Sequence, residues 1–195
     1  MPHFELILKD FVNWKMDNIE VLETFKEHGS MIYDRLEPVY AVLDYIYQKA
    51  VHHGPLNEDF QTIFQVGLNY LHNQFEVIRS YYESLFEENC NDFENYAVLV
   101  GYLMFISDFR ADLEDHEDTI DFEPLNDVET TIEDMIAQRE NNYVYAGEIL
   151  NEAIQDIVEQ LDFEYVSIID IFIEIAHNLG VAIHNEEMSI IGKDI

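Results

Sequence analysis

Residues 93–113 read FENYAVLVGYLMFISDFRADL, and this stretch decides the fold. Apolar side chains recur in it every three or four residues, which is the period of one face of an α-helix. Because residues 96–107 are apolar on nearly all sides, we expect the most buried helix of the protein here. The inward stripe consists of Tyr96, Leu99, Leu103, Ile106, Phe109 and Leu113.

The same period predicts two long helices before this stretch. One covers residues 32–50, and Pro38 either kinks it or marks the first turn of a separate helix. The next follows Gly54 and Pro55, begins at the N-cap candidate Asn57 and extends to about residue 88. Asn91 and Asp92 are then the cap candidates for the central helix. The inward stripe of the helix predicted over residues 32–50 consists of Ile32, Leu36, Val39, Leu43, Ile46 and Ala50.

Three further helices are predicted after the central one. A break at residues 119–126, around Pro124, precedes a short helix that opens at Asn126 or Asp127. Another runs over about 143–161, and the last covers 164–179 and stops at Gly180. Its expected inward residues are Ile168, Ile171, Phe172 and Ile175.

The small number of glycine and proline residues favours the same fold class. Only seven Gly and four Pro interrupt 195 residues, whereas a sandwich or barrel needs turn signals every 8–12 residues. We therefore predict a single acidic all-α domain over residues 1–195, a helical bundle or bundle-like array of about six to seven helices. A short, less ordered tail is expected at about 181–195.

The composition excludes several classes of protein. There are 41 acidic and nine basic side chains, so the formal charge is 9 − 41 = −32. This charge opposes direct binding of nucleic acid or an anionic membrane, while the 13% aromatic content excludes wholesale disorder. No run of 18 apolar residues predicts a membrane span. The lone Cys90 and the absence of a signal peptide predict a cytoplasmic protein.

No enzyme or metal motif is complete. Glu174 and His177 form one Glu-x-x-His element, but a carboxylate-bridged di-iron site needs two. Residues 112–123 have the length of a calcium loop, yet Glu117 stands where the sharp turn requires glycine. We therefore expect no cofactor and no resident metal.

Arg110 and His116 fall within the loose Arg-x4–6-His spacing of HEPN-type ribonucleases, which are also all-α. The acidic residues around the pair would repel RNA phosphates. The preferred interpretation is that both side chains relieve local acidic repulsion.

The strongest functional signal is the charge of residues 108–134. This segment holds 12 acids and one base, Arg110, a net of −11. If helical throughout, it would be about 40 Å long, with roughly one carboxylate per 3.4 Å, the axial charge spacing of one DNA strand. Because Pro124 is expected to break the helix, this segment resembles DNA in its charge density and not in its detailed geometry. The candidate partner-binding residues are Asp108, Asp112, Glu114, Asp115, Glu117, Asp118, Asp121 and Glu123.

In charge and helical character the chain resembles the acidic DNA-mimic and nuclease-immunity proteins of bacteria and phages. That resemblance implies a non-enzymatic binding protein that covers the basic surface of a nucleic-acid-binding protein, nuclease or toxin. Two alternatives stay open at this stage. One is a helical adaptor or scaffold whose acidity serves solubility, and the other is a metal- or HEPN-type helical enzyme.

Overall fold

The computed structural model describes residues 2–28, 30–54, 56–82, 93–116 and 118–183. Within these ranges the chain forms seven α-helices, one short 3-10 turn at Glu114–His116, and no strand, which confirms the all-α prediction. The helices are α1 (Pro2–His28), α2 (Ser30–His53), α3 (Glu58–Tyr82), α4 (Phe93–Asp112), α5 (Glu123–Ala137), α6 (Tyr143–Val158) and α7 (Ile168–Leu179).

Helices α2 and α4 occupy the centre of the array. α2 packs against α1, α3, α4 and α7, and α4 packs against α2, α3, α5 and α6. Ten of the eleven residues 96–106 are buried, as the apolar sequence of α4 predicts. One continuous hydrophobic core includes residues from all seven helices.

Several helix ends follow the predicted capping chemistry. The Asn57 side chain accepts a hydrogen bond from the Phe60 amide at 3.0 Å, which confirms it as the N-cap of α3. Gly180 ends α7 in the left-handed conformation at φ 71°, which a residue without Cβ adopts at little cost. Ser167, which was not predicted, caps the start of α7 by accepting from the Asp170 amide.

Three sequence interpretations need correction, and one helix, α1, has no counterpart among the predicted elements. The buried residues of α1, Phe4, Ile7, Phe11 and Trp14, nevertheless follow a helical period. α2 is continuous through Pro38. α5 begins at Glu123, so Pro124 lies in its first turn, where the missing amide hydrogen would have no helical partner. α7 begins four residues later than expected, at Ile168.

The buried face of α7 also differs from the expectation. Ile171 is exposed, whereas Ile169, Phe172, Ile173 and Ala176 are buried. The predicted end of α3 near residue 88, the caps Asn91 and Asp92, and positions 184–195 of the expected tail lie outside the described residues. Ile183, at the start of that tail, is buried against the core.

α2, α3 and α7 approach each other closely at Gly67. A Cβ atom on Gly67 would collide with Leu43 Cδ1 and would lie 3.0 Å from Phe172 Cζ. The absence of a side chain at this position therefore allows the three helices to pack.

Candidate functional site

The acidic residues 108–134 do not form one continuous helix. They cover the end of α4, the 3-10 turn, a connection and most of α5. The carboxylates of Glu114, Asp115, Asp118, Asp121 and Glu123 are all exposed, while Glu117 lies outside the described residues. The 3-10 turn, the connection after it and the start of α5 therefore present these acids to solvent rather than to the core.

A second acidic segment, the connection between α6 and α7, lies directly against the first. The Tyr165 hydroxyl donates to Asp112 Oδ2 at 2.9 Å, and the Phe163 and His116 ring centroids are 5.0 Å apart. At the other end, the Asp121 amide donates to Gln160 Oε1 at 3.0 Å. These contacts join residues that are 39 to 53 positions apart in the sequence.

The combined surface is called the acidic face below. It carries nine exposed acidic residues, and the sequence from 108 to 167 contains only two basic residues, Arg110 and Arg139. Sequence reasoning identified the acids before residue 124 but missed those after 158. The acidic face consists of Asp112, Glu114, Asp115, Asp118, Asp121, Glu123, Glu159, Asp162 and Glu164.

An aromatic side chain lies within this acidic surface. Phe163 stands between Asp162 and Glu164 in sequence, remains 42% exposed and contacts the His116 ring. Val166, three residues later, is 51% exposed. The acidic face therefore combines carboxylates with accessible apolar area, an arrangement found in protein interfaces.

Asp108 occupies a different environment from the other candidate residues. Its side chain is 13% exposed, and its Oδ2 lies 2.9 Å from Arg35 Nη2 on α2. Burial raises the pKa of Asp108 to about 6, an effect that the charge of Arg35 opposes. A carboxylate so enclosed has little surface to offer a partner, so Asp108 is not counted in the acidic face.

The environment of Asp112 is intermediate between that of the buried Asp108 and that of the other residues of the acidic face. Burial raises the pKa of its carboxyl, and the hydrogen bond from Tyr165 opposes that rise. Burial and the nearby charge of Asp112 raise the pKa of Tyr165 in turn. The Tyr165 hydroxyl therefore stays protonated and acts as a permanent donor to Asp112.

Arg110 is held against α5. Its Nη1 and Nη2 lie 3.2 Å and 3.3 Å from the two carboxylate oxygens of Glu129, and Nη2 also donates to Asn126 at 2.8 Å. Arg110 and Asn126 also line a surface cleft of about 440 Å³ between α4 and α5. Arg110 thus neutralises a carboxylate of α5, whereas His116 contacts Phe163.

The helix α5 extends the negative charge beyond the acidic face. Burial, together with the nearby charges of Glu129 and Asp134, raises the pKa of Glu133. The charges of Glu129 and Asp134 thus lie close enough to Glu133 to disfavour its ionised form. The repulsion therefore extends over α5 as well as the turn before it.

The described residues contain no group of three or more side chains placed to hold a metal ion. Glu174 and His177 are both exposed on α7, and His72 Nε2 lies 3.4 Å from Asp10 Oδ2.

None of the helices in the described part of the chain combines the length and apolar character needed to cross a bilayer. No protein-family model, curated protein or solved structure matches this chain.

Proposed function

We propose that the protein is a non-enzymatic cytoplasmic binding protein that covers the basic surface of a nucleic-acid-binding protein, nuclease or toxin. The observation that carries this proposal is the acidic face, in which two distant segments place nine exposed acidic residues on one surface. The lone cysteine accords with a reducing compartment.

The proposed mechanism is electrostatic and steric. Complementary charge speeds association from about 10⁵–10⁶ to as much as 10⁸–10⁹ M⁻¹s⁻¹ at low salt. A partner whose basic surface faces these carboxylates is then closed to the nucleic acid that it would otherwise bind. No bond is made or broken in this mechanism.

Phe163 supplies the apolar part of the proposed contact. Aromatic side chains near the centre of an interface commonly contribute most of the binding free energy, whereas rim charges chiefly set the association rate. Phe163 adds accessible apolar area to the carboxylates around it. This feature supports a protein partner.

The distribution of charge on α6 favours a second candidate function. Glu148, Glu152 and Asp156 are exposed along α6 and do not belong to the nine residues of the acidic face. Acids spread in this way keep a protein soluble by mutual repulsion. They suit a helical adaptor whose acidity is incidental to binding.

Capture from a lysate of the native host tests the proposal. The immobilised full chain is compared with a face-neutral variant (E114Q, D115N, D118N, D162N and E164Q) and a control variant (E5Q, D17N, E20Q, E23Q and E76Q). Both remove five exposed negative charges, but the control sites lie on α1 and α3.

The proposal predicts a basic protein that binds the native chain and the control variant. Added salt and double-stranded DNA should each release it, and the face-neutral variant should not retain it. Equal capture by all three chains, without release by salt or DNA, would contradict the proposal and favour the adaptor.

A further inference from the structure

A surface cleft of about 480 Å³ lies between α2 and the segment that follows α7. Val181 and Ala182 line it on one side, and α2 lines it with three tyrosines and two carboxylates. Because positions three or four apart share one face of a helix, aromatic rings and carboxylates alternate along the cleft. These side chains, which define the tyrosine cleft, are Tyr33, Glu37, Tyr40, Asp44 and Tyr45.

The rings of the tyrosine cleft already attract ammonium groups. Each of the three rings has a lysine Nζ within the range at which the face of an aromatic ring attracts a cation. None of these lysines is among the described residues that line the cleft, so the cleft is space that their side chains leave open. The pairs are Lys15 with Tyr40 at 5.7 Å, Lys26 with Tyr33 at 5.9 Å and Lys49 with Tyr45 at 5.5 Å from Nζ to ring centroid.

The surroundings of Lys15 show how this surface treats a primary amine. Its Nζ lies 3.5 Å from Asp44 Oδ1. Burial alone would lower the pKa of Lys15, but the contacts with Tyr40 and Asp44 outweigh burial and raise it above the ordinary 10.5. The edge of the tyrosine cleft therefore stabilises the charged form of an alkylamine.

Glu37 is held in place at the opposite end of the stripe. Its side chain is buried, with the residue 4% exposed, and it forms a hydrogen bond with Tyr33. Burial and the nearby Glu37 raise the pKa of Tyr33 to about 12, so the phenol stays neutral at physiological pH. The ring of Tyr33 therefore remains an uncharged surface beside a carboxylate.

The lining of the cleft selects the chemical class of the ligand. Two carboxylates oppose an anion, and the described residues hold no group of three or more side chains placed to bind a metal ion. An alkylammonium uses both parts of the lining, because carboxylates accept its hydrogen bonds and aromatic rings attract its charge. Glu37 and Asp44 are seven positions apart, about 10.5 Å along the helix axis, so one ammonium cannot reach both.

We propose that the tyrosine cleft binds a linear polyamine, with separate ammonium groups at Glu37 and Asp44 and the methylene chain against the tyrosine rings. The inference does not rest on the proposed function, since none of these residues belongs to the acidic face.

NMR spectroscopy of the full chain with spermidine, a linear triamine, at about 0.15 M salt tests the site. Intermolecular NOEs should connect the spermidine methylenes to the ring protons of Tyr33, Tyr40 and Tyr45. Tyr145 is an internal control, because it is 48% exposed and lies three positions before Glu148 on α6. Spermidine held only as a diffuse counterion of this acidic chain would contact Tyr145 equally. NOEs to Tyr145 of the same strength, or no NOEs to the cleft, would overturn the proposal.

Calorimetric titration of variants measures the contribution of each part of the lining. Tyr45→Leu removes a ring without changing the charge and should weaken spermidine binding about two- to fivefold. Asp44→Asn should also weaken it, whereas Tyr145→Leu and Asp156→Asn, matched changes at exposed positions on α6, should not. Butylamine, which carries one ammonium, should bind more weakly than spermidine to the native chain.

Equal affinity for butylamine and spermidine would contradict a polyamine site, because it would mean that the cleft recognises a single ammonium. Equal effects of the cleft variants and their α6 controls would reduce spermidine to a counterion and also overturn the proposal. If Tyr45→Leu or Asp44→Asn does not fold, the NOEs on the native chain decide.

Discussion

The Tyr165 hydroxyl donates a 2.9 Å hydrogen bond to Asp112, and the Tyr165 ring packs edge-on against Phe109 with centroids 4.7 Å apart. Asp112 is the last residue of α4, whereas Tyr165 belongs to the connection between α6 and α7. This pair therefore fastens one acidic segment to the other. The acidic face is a product of tertiary packing, although its charge is visible in the sequence.

Replacing Tyr165 by Phe tests that attachment. The ring contact with Phe109 is retained, while Asp112 loses a partner, so the free energy of unfolding should fall by about 1–2 kcal/mol in urea at pH 7. Tyr145→Phe, at an exposed position on α6, should change it by less than about 0.5 kcal/mol. Equal stability of the two variants would show that the Tyr165 hydroxyl does not fasten the connection.

The stability of the protein should decrease between pH 5 and pH 7. Asp108 has an ordinary pKa of 3.8 and a pKa of about 6 in the folded protein, because burial outweighs the attraction of Arg35. The folded chain therefore binds more protons than the unfolded chain over this window, and the free energy of unfolding falls as pH rises. The contribution of this group is on the order of 1–3 kcal/mol.

Urea unfolding at pH 5 and pH 7 measures this effect in the native chain and in Asp108→Asn. The variant cannot titrate at position 108, so its stability should depend less on pH. Glu23→Gln, an exposed change on α1, should keep the native pH dependence. The assignment to Asp108 is wrong if Asp108→Asn and the native chain lose the same stability.

Two glycine substitutions should have opposite effects. A methyl group on Gly67 would collide with Leu43 and crowd Phe172, so Gly67→Ala should destabilise the fold by about 1–3 kcal/mol. At Gly101 the nearest atom, Met31 Cγ, would lie 3.4 Å away, so Gly101→Ala should stabilise α4 by up to about 1 kcal/mol. Thermal unfolding measures both, and a stabilised Gly67→Ala would show that the helix contact is looser than described.

Phe163→Ala should weaken binding of a captured partner about tenfold or more through faster dissociation. The association rate should change little, because no charge is removed. Leu6→Ala, which truncates an exposed apolar residue on α1, is the control and should bind normally. Unchanged dissociation of Phe163→Ala, measured by surface plasmon resonance, would remove Phe163 from the interface and leave the acidic residues to be tested separately.

Much of the helical architecture was predictable because helix formation follows local periodicity. The Ile32–Ala50 stripe and the cap at Asn57 required no tertiary information. The late start and the buried face of α7 were harder, because Ile and Phe occupy most positions of residues 168–175 and offer two overlapping apolar faces. Packing against α2 selects the face with Phe172.

The negative charge of the acidic face was predictable from the sequence, but the full set of residues that form it was not. The sequence identifies the acids before residue 124, but it does not show that Asp108 pairs with Arg35, 73 positions away. Nor does it show that residues 159–164 lie beside the turn, since this depends on Tyr165 and Gln160. The carboxylates of Asp162 and Glu164 around an aromatic residue were the one available local signal.

The most direct test of the central claim is the association rate of the captured partner with the native chain, the face-neutral variant and the control variant. Stopped-flow rates are measured from 0.01 M to 0.15 M salt, over which the Debye length shrinks from about 30 Å to about 8 Å. The proposed function predicts a rate that falls steeply with salt for the native chain and the control. The face-neutral variant should associate more slowly and depend less on salt, with its helical circular dichroism unchanged. A rate that neither salt nor the five substitutions alter would contradict the claim.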